Sequence, residues 1–252
     1  MKYKRFIPLL IPFLVWFLNQ AFLSNPEFFY SSLGLGVLII ILGIKLFANS
    51  HSAKDWIPFI VAPILFFLSF SGYATIIVGD SWIQAIFVLI ACFLFFYFRT
   101  LYYYFISDNT DWTERLDNLL SMSGFLSIFA AAGLLFGLPA FLNWSPIVTI
   151  IIFIPFIWLL FVQFLPIKKI KLVSTSPILI SVALILAEFA WVFSFWPLNF
   201  NILALFLAIT YYLLLTITRL YWDGRLNRRS LRLPFALSIG IFIILILTAR
   251  WL

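Results

Sequence analysis

Long apolar runs recur along this chain at nearly the length of a bilayer crossing, and no other property limits its fold so strongly. A helix needs roughly 20 mainly apolar residues to cross about 30 Å of hydrocarbon. Nine runs meet that requirement: 6–23, 28–48, 56–78, 81–106, 116–140, 144–165, 175–196, 200–221 and 233–251. The breaks carry turn chemistry, as at Ser24-Asn25-Pro26, Gly79-Asp80-Ser81 and Asn143-Trp144-Ser145-Pro146. The runs are too long and too uniformly apolar for barrel strands, so the expected class is an all-α integral membrane protein with nine transmembrane helices. No break exceeds about 15 residues, so residues 1–252 read as a single transmembrane helical domain with no soluble domain on either side. The run starting at Phe6 follows a basic N-terminus like that of a signal peptide but lacks a small-residue cleavage site, so a retained first helix is expected.

Orientation follows from the basic residues. With the N-terminus in the cytoplasm, every Lys and Arg except Arg250 falls in an inside segment, and the C-terminus lies outside. Adding or removing a span would scramble that segregation. Trp56, Trp82, Trp144, Trp196, Trp222 and Trp251 fall near the expected interfaces. The net charge of +7 is therefore topological and not a nucleic-acid footprint. With 65% hydrophobic and 10% charged residues, the chain stands far from the about 45–50% and about 25% of a soluble domain.

Shifted by 119 residues, positions 56–102 match 175–221 at ten places, including Pro58 with Pro177 and Phe70 with Phe189. Two accounts stand. One is a parallel duplication of four helices, 1–115 and 116–232, with an extra helix at 233–252. The other is shared hydrophobic patterning, which alone supplies roughly half as many matches.

Glu188 is the one carboxylate inside an apolar run. At the bilayer centre a charged side chain costs about 2.5–3.5 kcal/mol on insertion scales, so such a residue is a functional hypothesis by default. Ala183, Ala187, Ala190 and Ser194 form a small-residue stripe beside it, which predicts that Glu188 faces protein. The next run returns antiparallel, placing Thr210 and Tyr211 at similar depth as hydrogen-bond partners. Two readings stay open: a coupling or substrate-contacting carboxylate of a small permease or flippase-like transporter, or a neutral carboxyl that only fixes helix packing.

Arg219, Arg225, Arg228, Arg229 and Arg232 cluster at one inside loop, where guanidinium forks suit an anionic lipid head group or a phosphorylated substrate. The plainer account is a topology signal with Asp223-Gly224 as its turn. In the acidic segment 108–117, Asp111 followed by Glu114 reads as a helix-start cap, with pairing to the arginine loop as an extra role. Ser123, Ser127, Ala130, Gly133 and Gly137 form a second small-residue stripe, and Pro155 should kink the sixth span. The polar residues Asn19, Gln20, Glu27, Asp80, Gln84, Asn143, Asn199 and Asn201 read as solvated outer helix ends.

One histidine, His51 in a loop, and one cysteine, Cys92, expected to pack as a small apolar group, supply neither a zinc site nor a disulfide. There is no phosphate-binding loop, no paired intramembrane carboxylate and no metalloprotease motif, so an enzyme is hard to assemble and no cofactor or metal is indicated. The segments Ala187-Glu188-Phe189-Ala190-Trp191, Trp196-Pro197-Leu198-Asn199-Phe200 and Tyr211 to Tyr221 resemble a group of uncharacterised bacterial multi-spanning membrane proteins. The resemblance implies a multi-pass protein of the cell (inner) membrane and carries no activity. The expected partners are the lipid bilayer, an anionic lipid, and a membrane-protein partner or a second copy. The function classes that remain are the transporter and a non-catalytic membrane subunit or envelope-assembly scaffold.

Overall fold

A computed structural model describes residues 5–47, 56–106, 110–168 and 172–249. His51, Lys54, Asp108, Arg250 and Trp251 lie outside the described residues. Among those described the chain is all helical. Its elements are α1 (Ile7–Ser24), α2 (Phe29–Phe47), α3 (Val61–Ala74), α4 (Asp80–Ile106), α5 (Thr110–Leu142), α6 (Pro146–Val162), α7 (Leu172–Phe193), α8 (Phe200–Trp222) and α9 (Arg228–Thr248). A 3-10 turn, Pro26–Phe28, leads into α2, another, Ile57–Ile60, leads into α3, and a single helical turn, Leu165–Lys168, follows α6. Each apolar run of the sequence corresponds to one of these helices. Eight, with their leading turns, are long and apolar enough to cross a membrane, and Pro146–Val162 is shorter at 17 residues.

The chemistry of the boundaries is local. Pro146 opens α6 at a first-turn position where a missing N–H costs nothing. The Asn199 side chain accepts from the Asn201 N–H at 2.9 Å and starts α8, and Gly224 takes the left-handed conformation (φ +65°) in the turn that ends it. At α9, the Ser230 hydroxyl accepts from the Asn227 N–H at 3.1 Å. Two helices start five or six residues before their apolar runs. Helix α5 starts at Thr110 rather than near 116, because Trp112 stacks on Tyr103 at 4.5 Å and Arg115 lies over the Trp112 ring at 4.7 Å. Asp111 consequently sits within the first turn of the helix, where a carboxylate suits the helix dipole, and does not occupy the cap. Helix α9 starts at Arg228 rather than 233, since the Asn227–Ser230 bond nucleates it earlier.

The helices group into two compact units, Met1–Ser127 with Val162–Leu172, and Ile128–Phe161 with Val173–Leu252. Helix α4 is the hub of the first. Phe22 of α1 packs on Phe87, Phe47 of α2 on Phe98, and Phe66 of α3 stacks on Phe93 at 3.9 Å. The buried Tyr97 hydroxyl donates to the Phe59 carbonyl at 2.6 Å. Two glycines set the closeness of α2: a Cβ at Gly43 would run into Ile11 and lie 3.0 Å from the Phe98 ring, and one at Gly36 would strike Phe67.

Helix α8 is the hub of the second unit. Phe193 of α7, Phe242 of α9 and Trp196 all pack on Phe206, and Phe161 of α6 meets Tyr211 edge-on at 5.2 Å. The stripe Ser123, Ser127, Ala130, Gly133 and Gly137 on α5 is buried throughout. Cys92, expected to be packed, is exposed on α4. Helix α9 contrasts with all of these, because only 6% of its span is buried.

Candidate functional site

On α7 the small residues and the carboxylate part company. Ala183, Ala187 and Ala190 are buried, as their size suits, whereas Glu188 is exposed. The reason is angular: consecutive helix residues are about 100° apart, so Glu188 lies off the stripe that its neighbour Ala187 belongs to. Its row is Ser181, Leu184, Glu188, Trp191 and Phe195, all exposed. The expectation of a buried Glu188 facing protein is thus corrected. Depth shifts as well, since α7 ends at Phe193 and puts Glu188 about 8 Å from the helix end.

The expected partners satisfy themselves or remain alone. The Thr210 hydroxyl, buried, donates to the Phe206 carbonyl at 2.9 Å along its own helix. Tyr211 is fully buried against Phe161, and its hydroxyl has no hydrogen-bond partner. The three residues do not form one polar site: Thr210 and Tyr211 point into the second unit, Glu188 away from it.

The end of the second unit at the α7–α8 connection holds a cleft of about 530 Å³. Phe136 and Pro139 of α5, Thr149 of α6 and the α7–α8 connection (Ser194, Trp196, Asn199) line it. Thr149 and Leu203 are buried at its floor, and Phe141 and Asn199 are exposed at its rim. Its polar groups are mostly engaged locally: Thr149 donates to the Pro146 carbonyl at 2.8 Å and Ser194 to the Trp191 carbonyl at 2.6 Å. Such a lining suits an apolar chain rather than an ion. Glu188 does not line the cleft.

At the other end of α8, Arg219 is half-buried while Arg225, Arg228, Arg229 and Arg232 are exposed. Three of these open α9, and cations at a helix N-terminus oppose its dipole. The cluster therefore does not stabilise the helix through its dipole, and four of its guanidinium groups are exposed. Asp111 and Glu114 are exposed on α5.

Sequence reasoning misplaced three amides and passed over a fourth. Gln20 and Gln84 form a reciprocal pair between α1 and α4, Nε2 to Oε1 at 2.6 and 3.0 Å, though both read as solvated ends. Asn19, 1% exposed, is also interior, and its Nδ2 has no hydrogen-bond partner. Gln163, 1% exposed, follows α6 with neither amide atom hydrogen-bonded. The available signal was the occurrence of Gln within an apolar run, at 163 inside 144–165. Among the described residues no cluster of three His, Cys, Asp or Glu could hold a metal ion.

The sequence profile of a family described as protein of unknown function (DUF5656) matches residues 10–248. No curated protein and no solved structure matches the chain.

Proposed function

We propose, for a chain that belongs to the DUF5656 family of proteins of unknown function, the role of a non-catalytic membrane subunit or assembly scaffold that works by lateral association in the bilayer. The observation that carries it is Glu188: a carboxylate on an exposed apolar helix face, outside the cleft between Phe136 and Trp196, is tolerated where another protein covers it. The proposal includes nine spans with the N-terminus inside and the C-terminus outside, in the inner membrane of a bacterium. The arginine row then lies at the cytoplasmic surface and binds anionic lipid head groups through Arg219, Arg225, Arg228, Arg229 and Arg232. It also includes the duplication of 1–115 as 116–232. Its support is that α4 and α8, which the 119-residue shift superposes, are each the hub of a unit.

The test is detergent-free extraction into native nanodiscs followed by mass measurement. An assembly of fixed stoichiometry, heavier than the 29.2 kDa chain, is expected. A chain that emerges alone under every extraction condition sinks the proposal.

The cleft favours a second reading, a flippase-like transporter of an amphiphile. The apolar tail would occupy the space between Phe136, Pro139 and Trp196, and the head group would approach Glu188 from the lipid. Proteoliposomes that scramble a fluorescent lipid, and lose this with Ser194→Trp or Glu188→Gln, would establish it in place of the first.

A further inference from the structure

We propose that the cleft at the α7–α8 connection binds an uncharged, hydroxyl-bearing lipid. Its chain lies among Phe136, Ile150 and Leu203, and its hydroxyls meet Thr149, Ser194 and Asn199. The proposal takes from the second reading above only that an amphiphile occupies the cleft; it needs neither transport nor Glu188. Four helix boundaries contribute to the lining: α5 stops at Leu142, α6 starts at Pro146, α7 stops at Phe193 and α8 starts at Phe200. The apolar floor runs inward from that level. Leu135 precedes the end of α5 by seven residues, so the cleft reaches about 10 Å along the helix. Its volume of about 530 Å³ lies within the roughly 300–1,000 Å³ of small-molecule sites, which likewise set a few polar groups in apolar walls.

The polar groups select the head. Among the described residues no Lys, Arg, His, Asp or Glu lines the cleft, so a charged head would leave water without a counter-charge. Thr149 and Ser194 have committed their hydroxyl hydrogens to the Pro146 and Trp191 carbonyls, and each oxygen can now only accept. Pro139, Ala140 and Phe141 also line the cleft from the last turn of α5, where a helix leaves its carbonyls without intrahelical partners. Donors stand beside these acceptors. Asn199 Oδ1 accepts from the Asn201 N–H, which fixes the amide's orientation and leaves Nδ2 to donate. A hydroxyl serves both kinds of group, because it donates one hydrogen and accepts at its lone pairs. A phosphate or carboxylate only accepts, and an ammonium only donates.

The walls are held by the chain itself. Phe141 of α5 meets Phe200 of α8 edge-on at 5.7 Å, and Trp196 is fixed between Phe193 at 5.2 Å and Phe206 at 5.6 Å. A ligand therefore enters a formed site and does not have to order one. The opposite end of α8 has the reverse chemistry. Exposed Arg225, Arg228 and Arg229 only donate there and carry charge, which suits an anionic head group and not an alcohol.

The experiment uses the full chain in phosphatidylcholine vesicles and reads tryptophan quenching by probes brominated on the part of the chain next to the head group. A monoacylglycerol is expected to quench at about tenfold lower concentration than the methyl ester of the same chain, the ratio that a net gain of two hydrogen bonds gives. Trp196→Phe should remove this extra quenching, since Trp196 stands in the wall. Asn199→Leu together with Thr149→Val should bring the two probes level in protein whose circular dichroism is unchanged. Equal quenching by the two probes in the parent protein overturns the proposal, as does tighter binding of the fatty acid or the primary amine of the same chain. A preference that survives Ala140→Phe, which fills the cleft, also overturns it. A monoacylglycerol preference without scrambling of a fluorescent lipid keeps the site and overturns the transporter reading. Scrambling with no preference between the probes does the reverse.

Discussion

Two polar side chains inside apolar helices meet different fates in this protein. Gln20 of α1 finds Gln84 of α4, and the two amides satisfy each other in both directions within the first unit. Glu188 of α7 finds nothing in the second unit and faces outward beside Leu184 and Trp191. The difference lies in which helix stands opposite. Helix α4 is surrounded by α1, α2 and α3, so a polar group aimed at it is enclosed. On α7, Phe193 packs against Phe206 of α8, whereas Glu188 lies on the exposed face of the helix. A polar group enclosed by its own fold belongs to stability. One presented outward in an apolar setting belongs to whatever the protein meets.

That contrast is open to direct attack, and the largest effect should come from disturbing the enclosure. Gly43→Leu forces a side chain against Ile11 and Phe98. It should destabilise the chain by about 3 kcal/mol or more, read as an earlier midpoint in denaturant titration of the purified protein. An unchanged midpoint would mean that α2 can move away and that the first unit is not closed around Gly43.

Gln20→Leu should come next, losing about 1 kcal/mol by leaving the part-buried Gln84 amide unpaired. The Gln20→Leu, Gln84→Leu double variant should recover most of it, since two apolar groups suit the site. Additive losses in that double-mutant cycle would show that the pair is not coupled.

Of similar size is the contrast between two buried tyrosines. Tyr97→Phe removes the hydrogen bond to the Phe59 carbonyl and should cost about 1 kcal/mol. Tyr211→Phe removes a hydroxyl with no partner and should cost nothing or stabilise slightly, within about 0.5 kcal/mol. Thermal scans of the two variants side by side decide it. A larger loss at Tyr211 would mean that its hydroxyl has an acceptor in the membrane.

The smallest effect is expected at Glu188 itself. Under dilution that keeps the chain monomeric, Glu188→Leu should leave unfolding within about 0.5 kcal/mol of the parent, because no contact inside the chain is removed. A clear loss of monomer stability would return Glu188 to the interior and erase the contrast with Gln20.

The number and approximate limits of the helices were legible in the sequence, because a backbone in hydrocarbon must bond to itself and an apolar run therefore becomes a helix. Limits set by a side chain from elsewhere were not. Helix α5 begins six residues before its apolar run; Asp111 and Glu114 announced a helix start there, but the stack between Trp112 and Tyr103 that holds it was not legible. Of the candidate site, the inward face of Ala183, Ala187 and Ala190 was legible, since small residues favour close helix packing. The outward face of Glu188 was not, because residues next to each other in sequence stand about 100° apart on a helix. Size decides where alanine goes, but the direction of a carboxylate depends on which helices happen to surround it.

The sequence by itself determined that this chain is a set of apolar helices joined by short polar turns, with its basic residues gathered into particular turns. Those are local consequences of hydrophobicity and of turn residues, and they need no knowledge of neighbours. Only the tertiary structure decided that Gln20 and Gln84 meet, that Tyr211 and Gln163 are buried without hydrogen-bond partners, and that Glu188 is left on the outside. Each of those depends on which helix faces are paired, and in a chain that is 65% hydrophobic nearly every face is apolar enough to pair with any other.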